Sequence, residues 1–154
     1  MHDRIRKILD DSKTPYQVHV HKDLRVPIRS PQDFAHALGY ELSRITKTLL
    51  LETNDQEQRC LVVAPSDQRL DLHQVAEQIG YKRLQLADRK ALSALLDYPP
   101  NGVSPIGAGS IPVLMTRSLM GFPTILIGAG EAGVELELSP QSLQSLTNAV
   151  LLPS

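Results

Sequence analysis

The chain has a single cysteine and no run of apolar residues approaching 18. One cysteine excludes a disulfide framework, and Cys60 sits within Cys60-Leu61-Val62-Val63-Ala64, a setting that reads as a buried, inert thiol and not as a nucleophile. The short apolar runs give no membrane-spanning helix. The start, Met1-His2-Asp3-Arg4, has no signal-like apolar stretch behind it, so a cytoplasmic protein with no membrane partner is expected. Excess positive charge is also missing. A formal net charge of −1 does not mark the chain as a whole as a nucleic-acid binder. Internal repeats and low-complexity segments are absent, and 154 residues suit one domain, 1–154, with a real core.

The charge that is present is unevenly placed. Of the 16 lysines and arginines, all but Arg117 lie in the first 90 residues. An RNA partner would therefore have to meet a local basic face, with Lys47 and some of Arg25, Arg29 and Arg44 as its members, while most other charges solvate helix surfaces. Glycine is skewed the other way. Seven of the nine glycines follow residue 100, which makes the last third the expected ligand side.

Periodicity and punctuation outline a mixed α/β domain. Ile5, Ile8 and Leu9 give a first helix that stops before Thr14-Pro15. Tyr16 to His21 alternates as a strand, with Tyr16, Val18 and Val20 on the apolar face and His19 and His21 on the other. Ser30-Pro31-Gln32-Asp33 caps a second helix that should end at Gly39. Strands are expected over 45–52 and 59–64, joined by a polar turn. Helices begin at the caps Asp71 and Asp88, the second stopping before Pro99-Pro100. Strands follow near 111–117, 122–128 and 133–138, then a helix from Ser139-Pro140 to about Val150. Several connections are too short for a crossover helix, so the fold class is α/β (α+β) with a central mixed, largely antiparallel sheet flanked by helices.

Several chemistries lack their sequence signatures. Gly128-Ala129-Gly130 follows a strand, but the alternating Val134 to Leu138 replaces the helix that dinucleotide binding needs. Ser104 lies in Val103-Ser104-Pro105, not in a Gly-x-Ser-x-Gly elbow. His19 and His21 share a strand face with no further identifiable ligands, so no metal site is expected and hydrogen-bonded histidines are the simpler reading. Lys47 is the notable side chain. Period two puts it on the face of Ile45, Leu49 and Leu51, where an ammonium either snorkels to the sheet end, as an edge lysine does, or meets an anion. The loop 101–107 carries two glycines and a proline, so it can present peptide groups to a ligand.

Lys47-Thr48-Leu49-Leu50, the loop Gly102-Val103-Ser104-Pro105-Ile106-Gly107, and Gly130-Glu131-Ala132-Gly133-Val134-Glu135-Leu136-Glu137-Leu138 occur in an order and spacing similar to the YbaK/prolyl-tRNA synthetase-associated domain family. The resemblance spans nearly the whole chain. It implies an aminoacyl-tRNA deacylase acting in trans on tRNA mischarged with a small amino acid, with no cofactor. Its partner would be the aminoacylated 3′ end of tRNA, and an aminoacyl-tRNA synthetase is a further candidate. The resemblance implies Lys47, Asn101 and Gly102 as catalytic positions. It implies His21, Val103, Ser104, Pro105, Gly107, Gly128, Gly130 and Glu135 as substrate-binding ones. This chain departs from the family pattern at Asn101, where glycine is usual, at Gly128, where serine is common, and at Thr116 and Glu135, where aspartate is. Those departures keep open a second class: a catalytically weak module that binds an aminoacyl- or nucleotide-like ligand or a protein.

Overall fold

A computed structural model describes residues 1–153. Helix α1 (Asp3–Asp11) buries Ile5 and Leu9 completely. Helix α2 (Pro31–Leu38) starts where Ser30 Oγ accepts the Asp33 N–H at 3.1 Å, and it stops at Gly39, whose φ of 71° suits a residue without a Cβ. Strands β1 (Gln17–Val20), β2 (Thr46–Thr53) and β3 (Arg59–Pro65) are followed by α3 (Leu72–Ile79), β4 (Leu84–Leu86) and α4 (Arg89–Leu96). Asp88 caps α4 by accepting the Ala91 N–H at 2.7 Å. The remainder is β5 (Val113–Thr116), β6 (Ile125–Gly128), β7 (Val134–Leu138), α5 (Pro140–Thr147) and β8 (Val150–Leu152).

The strands form two sheets where one central sheet was expected. Five strands run in the order β4-β2-β3-β5-β8, and three in the order β1-β7-β6. Pairing is antiparallel throughout the smaller sheet and in β4-β2-β3, and parallel in β3-β5-β8. The sheets touch where Ile45 bridges Leu126, and the Thr46 hydroxyl donates to the Leu126 carbonyl at 2.7 Å. Beyond that point they part.

Alternation along β2 and β3 builds two cores at once. Leu50, Leu61 and Val63 join the main cluster with Ile5, Met115, Ile127 and Leu136, while Leu51, Cys60 and Val62 pack under α3 with Val75 and Leu114. A strand buried on both faces reads as a continuous apolar run, which is what 60–64 is. The Cys60 thiol is fully buried there, and burial pushes its pKa up to about 11, so it stays protonated and unreactive.

Three expectations need correction. Tyr16 and Val20 pack against the main core as expected, but Val18 is 38% exposed, and on the other face His19 and His21 pack against Phe34, because β1 pairs with the glutamate-bearing strand β7. The last helix ends at Thr147, where Asn148 takes φ 54°, and Val150 begins a strand. Strands β4 and β8 have three residues each, too few for alternation to register.

Candidate active-site cleft

The gap between the parting sheets is a cleft of about 780 Å³, within the usual size for a small-ligand site. Ile45 and residues 46–50 of β2 form one wall and the loop 100–103 with Gly128 the other. Ala132 to Glu135, His21 and Phe34 close one end, and Arg29, Leu86 and Arg89 stand around the opening.

The loop is held by backbone contacts that tolerate no side chain. A Cβ on Gly102 would fall 2.5 Å from the Glu131 carbonyl carbon, and one on Gly128 would fall 1.9 Å from the Val103 oxygen. Gly102 does not sit in the left-handed region, so glycine is required there for close approach and not for positive φ. The Gly102 N–H donates to the Pro99 carbonyl at 2.9 Å, and the Gly102 carbonyl accepts the Gly130 N–H at 2.7 Å. Its own peptide groups are thus spent on the turn. The donors the loop can direct at a ligand are the N–H groups of Asn101 and Val103.

Two histidine–glutamate pairs step along β1 and β7. His21 Nε2 lies 2.6 Å from Glu135 Oε2 at the cleft wall, and His19 Nε2 lies 2.7 Å from Glu137 Oε1 behind it. The register pairs His19 with Glu135, so each contact is a cross-strand diagonal. Phe34 packs against both imidazoles. Burial raises the pKa of Glu135, and the bond from His21 offsets that only in part. Burial also pushes Glu137 up, but bonds from Thr124, His19 and Tyr40 outweigh it and hold its carboxyl below the usual range. Arg44 completes this inner cluster: its guanidinium stacks 3.8 Å over the Tyr40 ring and bonds Thr124.

Lys47 is half-buried at the cleft, and its Nζ donates to the Gln68 carbonyl at 2.5 Å. One of its three N–H donors is engaged, leaving two for a ligand.

The structure brings Lys47, Asn101, Gly102, Val103, Gly128, His21 and Glu135 to one cleft. Ser104, Pro105, Gly107 and Gly130 are not on its wall. The chain turns inward after Val103: Ser104 is fully buried, with its Oγ accepting the Ile106 N–H at 3.2 Å. Gly107 sits against the Tyr98 hydroxyl, which donates to the Ile106 carbonyl, and Gly130 against His2 and Ile5. Gly107 and Gly130 thus lie against α1 and Tyr98, and Ser104 bonds within its own loop. Thr116 is buried in β5 and does not line the cleft. Arg44 is buried too, and so is not available to RNA. Phe34, Arg89 and the edge of β2 were missed. Phe34 reads as an ordinary helix core residue, and only the topology places it behind the histidines.

Comparison with known proteins decides the family. The aminoacyl-tRNA editing domain matches residues 25–146. The chain belongs to that family. Membership carries the family's activity class, hydrolysis of aminoacyl-tRNA. Among relatives, the chain is 34% identical over 120 residues to an Enterococcus faecalis protein named "Putative Cys-tRNA(Pro)/Cys-tRNA(Cys) deacylase EbsC", covering 77% of this chain and 73% of that one. It is 25% identical over 146 residues to the "Prolyl-tRNA editing protein ProX" of Acetoanaerobium sticklandii, covering 92% and 87%. The crystal structure of the hypothetical protein APE2540 superposes with a TM-score of 0.83 at 28% identity over 96% of both chains. The mixed α/β fold is that of the editing domains.

Proposed function

We propose that this protein clears a small amino acid from mischarged tRNA, acting in trans on the aminoacylated 3′ end. The observation that carries the reading is the opposition, across one cleft, of a loop of bare peptide groups fixed by Gly128 and a lysine fixed by β2. The ester carbonyl lies against the loop, where the N–H groups of Val103 and Asn101 stabilise the oxyanion as the tetrahedral intermediate forms. Lys47 holds a phosphate or the terminal ribose. Glu135, a half-buried carboxylate with a raised pKa, takes the α-ammonium of the aminoacyl group, whose positive charge offsets the cost of keeping it ionised.

Neither Ser104 nor Cys60 lines the cleft, and in this reading the attacking group is water. Asn101 and Gly102 line the wall as the resemblance implied, with Gly102 serving through shape. Arg29 and Arg89 at the opening meet the phosphates of the preceding nucleotides. A synthetase that supplies the mischarged tRNA is the natural second partner, and the site of action is the cytoplasm.

A non-hydrolysable 3′-amide analogue of alanyl-adenosine tests the reading. Titrated into ¹⁵N-labelled protein, it should shift the amides of Asn101, Val103, Gly128 and Glu135 together. Shifts confined to other faces of the molecule would remove the cleft from consideration.

A further inference from the structure

Ile45 and residues 46–50 of β2 line the cleft without a break, although their side chains alternate between two faces. A strand lines a cavity continuously when its edge, and so its peptide groups, faces that cavity. The hydrogen bonds fix which peptides these are. Ser66 N–H donates to the Ile45 carbonyl at 2.7 Å, and Thr53 N–H to the Gln58 carbonyl at 3.0 Å, so the odd-numbered residues of β2 point at β3. Ala87 N–H donates to the Leu50 carbonyl at 2.9 Å, so the even-numbered ones point at the opposite edge. Thr48 is even-numbered. On one side of it, β6 reaches β2 only at the Ile45–Leu126 bridge and the Thr46 hydroxyl. On the other, β4 registers with Leu51, Glu52 and Thr53. The N–H and C=O of Thr48 fall in the gap and face the cleft side by side, a donor and an acceptor that call for a partner.

We propose that this pair reads the Watson–Crick edge of the terminal adenine of the tRNA 3′ end. Thr48 N–H donates to adenine N1, and Thr48 C=O accepts from the exocyclic amino group. Adenine presents an acceptor beside a donor, as the next strand of a sheet would. Guanine and hypoxanthine present the reverse, an N1–H beside O6, and meet donor with donor. The inference rests on the deacylase reading, which assigns the ammonium to Glu135 and the ester to the loop, leaving the β2 edge for the nucleoside. Leu86, 58% exposed at the opening, and Leu92 offer apolar surface to the faces of the base.

The experiment compares AMP with IMP, which differ at that edge alone. AMP should move the Thr48 amide resonance downfield in ¹⁵N-labelled protein, and IMP at the same concentration should leave it in place. In parallel, the alanyl ester of inosine should be hydrolysed with a KM raised at least about fivefold over that of adenosine, with kcat little changed. The 7-deazaadenosine ester, whose Watson–Crick edge is intact, should match adenosine. If AMP and IMP act alike at Thr48, or neither moves it, the proposal is overturned. Esters cleaved with equal KM also overturn it while the deacylase reading stands. Selection of AMP without hydrolysis of any ester keeps the base site and removes the deacylase reading.

Discussion

Gly128 and Val103 meet backbone to backbone, so closely that a Cβ added to Gly128 would lie 1.9 Å from the Val103 carbonyl oxygen. Gly128→Ala must therefore push the 101–103 loop away from the cleft. A displacement of about 1 Å at a reacting centre costs on the order of a hundredfold in rate, and overpacking costs about 1–3 kcal/mol of stability. Single-turnover deacylation and thermal unfolding of the same preparation should show both losses. A folded variant with normal turnover would mean that the loop's position does not matter.

The caps, the Pro and Gly stops and the β2-β3 hairpin were legible because each rests on local chemistry: Ser30, Asp88 and Gly39 act where they stand. What was not legible depends on which strands become neighbours. The inward turn of His19 and His21 follows from pairing β1 with β7, over a hundred residues away in the chain. Likewise, Ser104 looked like a member of an exposed loop, and only the packing of Ile106 and Gly107 on Tyr98 buries it. The cleft itself arises because two sheets diverge after one bridge at Ile45, a tertiary event with no sequence period.

Glu137 makes the acid limb of stability. Its carboxyl is held below the usual range in the folded state, so the stabilisation it provides is fully present above the unfolded carboxylate pKa and is lost as pH falls through the lower folded value. Glu137→Gln should cost about 2 kcal/mol at neutral pH, the worth of hydrogen bonds to a buried charge. The gap from the parent should close as pH drops below the ordinary carboxylate range. Urea titrations across pH 3–7 check this, and a gap that stays constant over that range would contradict it.

Lys47→Ala should lower kcat/KM for deacylation at least tenfold, about 1.4 kcal/mol of transition-state stabilisation. Its ammonium touches the molecule through the Gln68 carbonyl alone among the described residues, so thermal stability should change little. Full activity in the variant would leave the lysine without a role.

Affinity for tRNA should fall as salt rises, since phosphate contacts release counterions. Arg29→Ala and Arg89→Ala, both at exposed residues of the cleft opening, should each reduce the slope of log K against log salt by about one. Arg44→Ala should instead destabilise the fold, because the guanidinium is committed to Tyr40 and Thr124. Binding that ignores salt would favour a protein ligand over tRNA.

The most direct measurement is deacylation by the purified protein of a panel of tRNAs charged with alanine, cysteine, serine and a bulky aliphatic residue. At least one of the small amino acids should be released at about a hundredfold or more over the spontaneous rate, with intact tRNA recovered and the bulky residue spared. If none of the small esters is hydrolysed faster than in buffer while the protein remains folded, the cleft does not perform the reaction assigned to it.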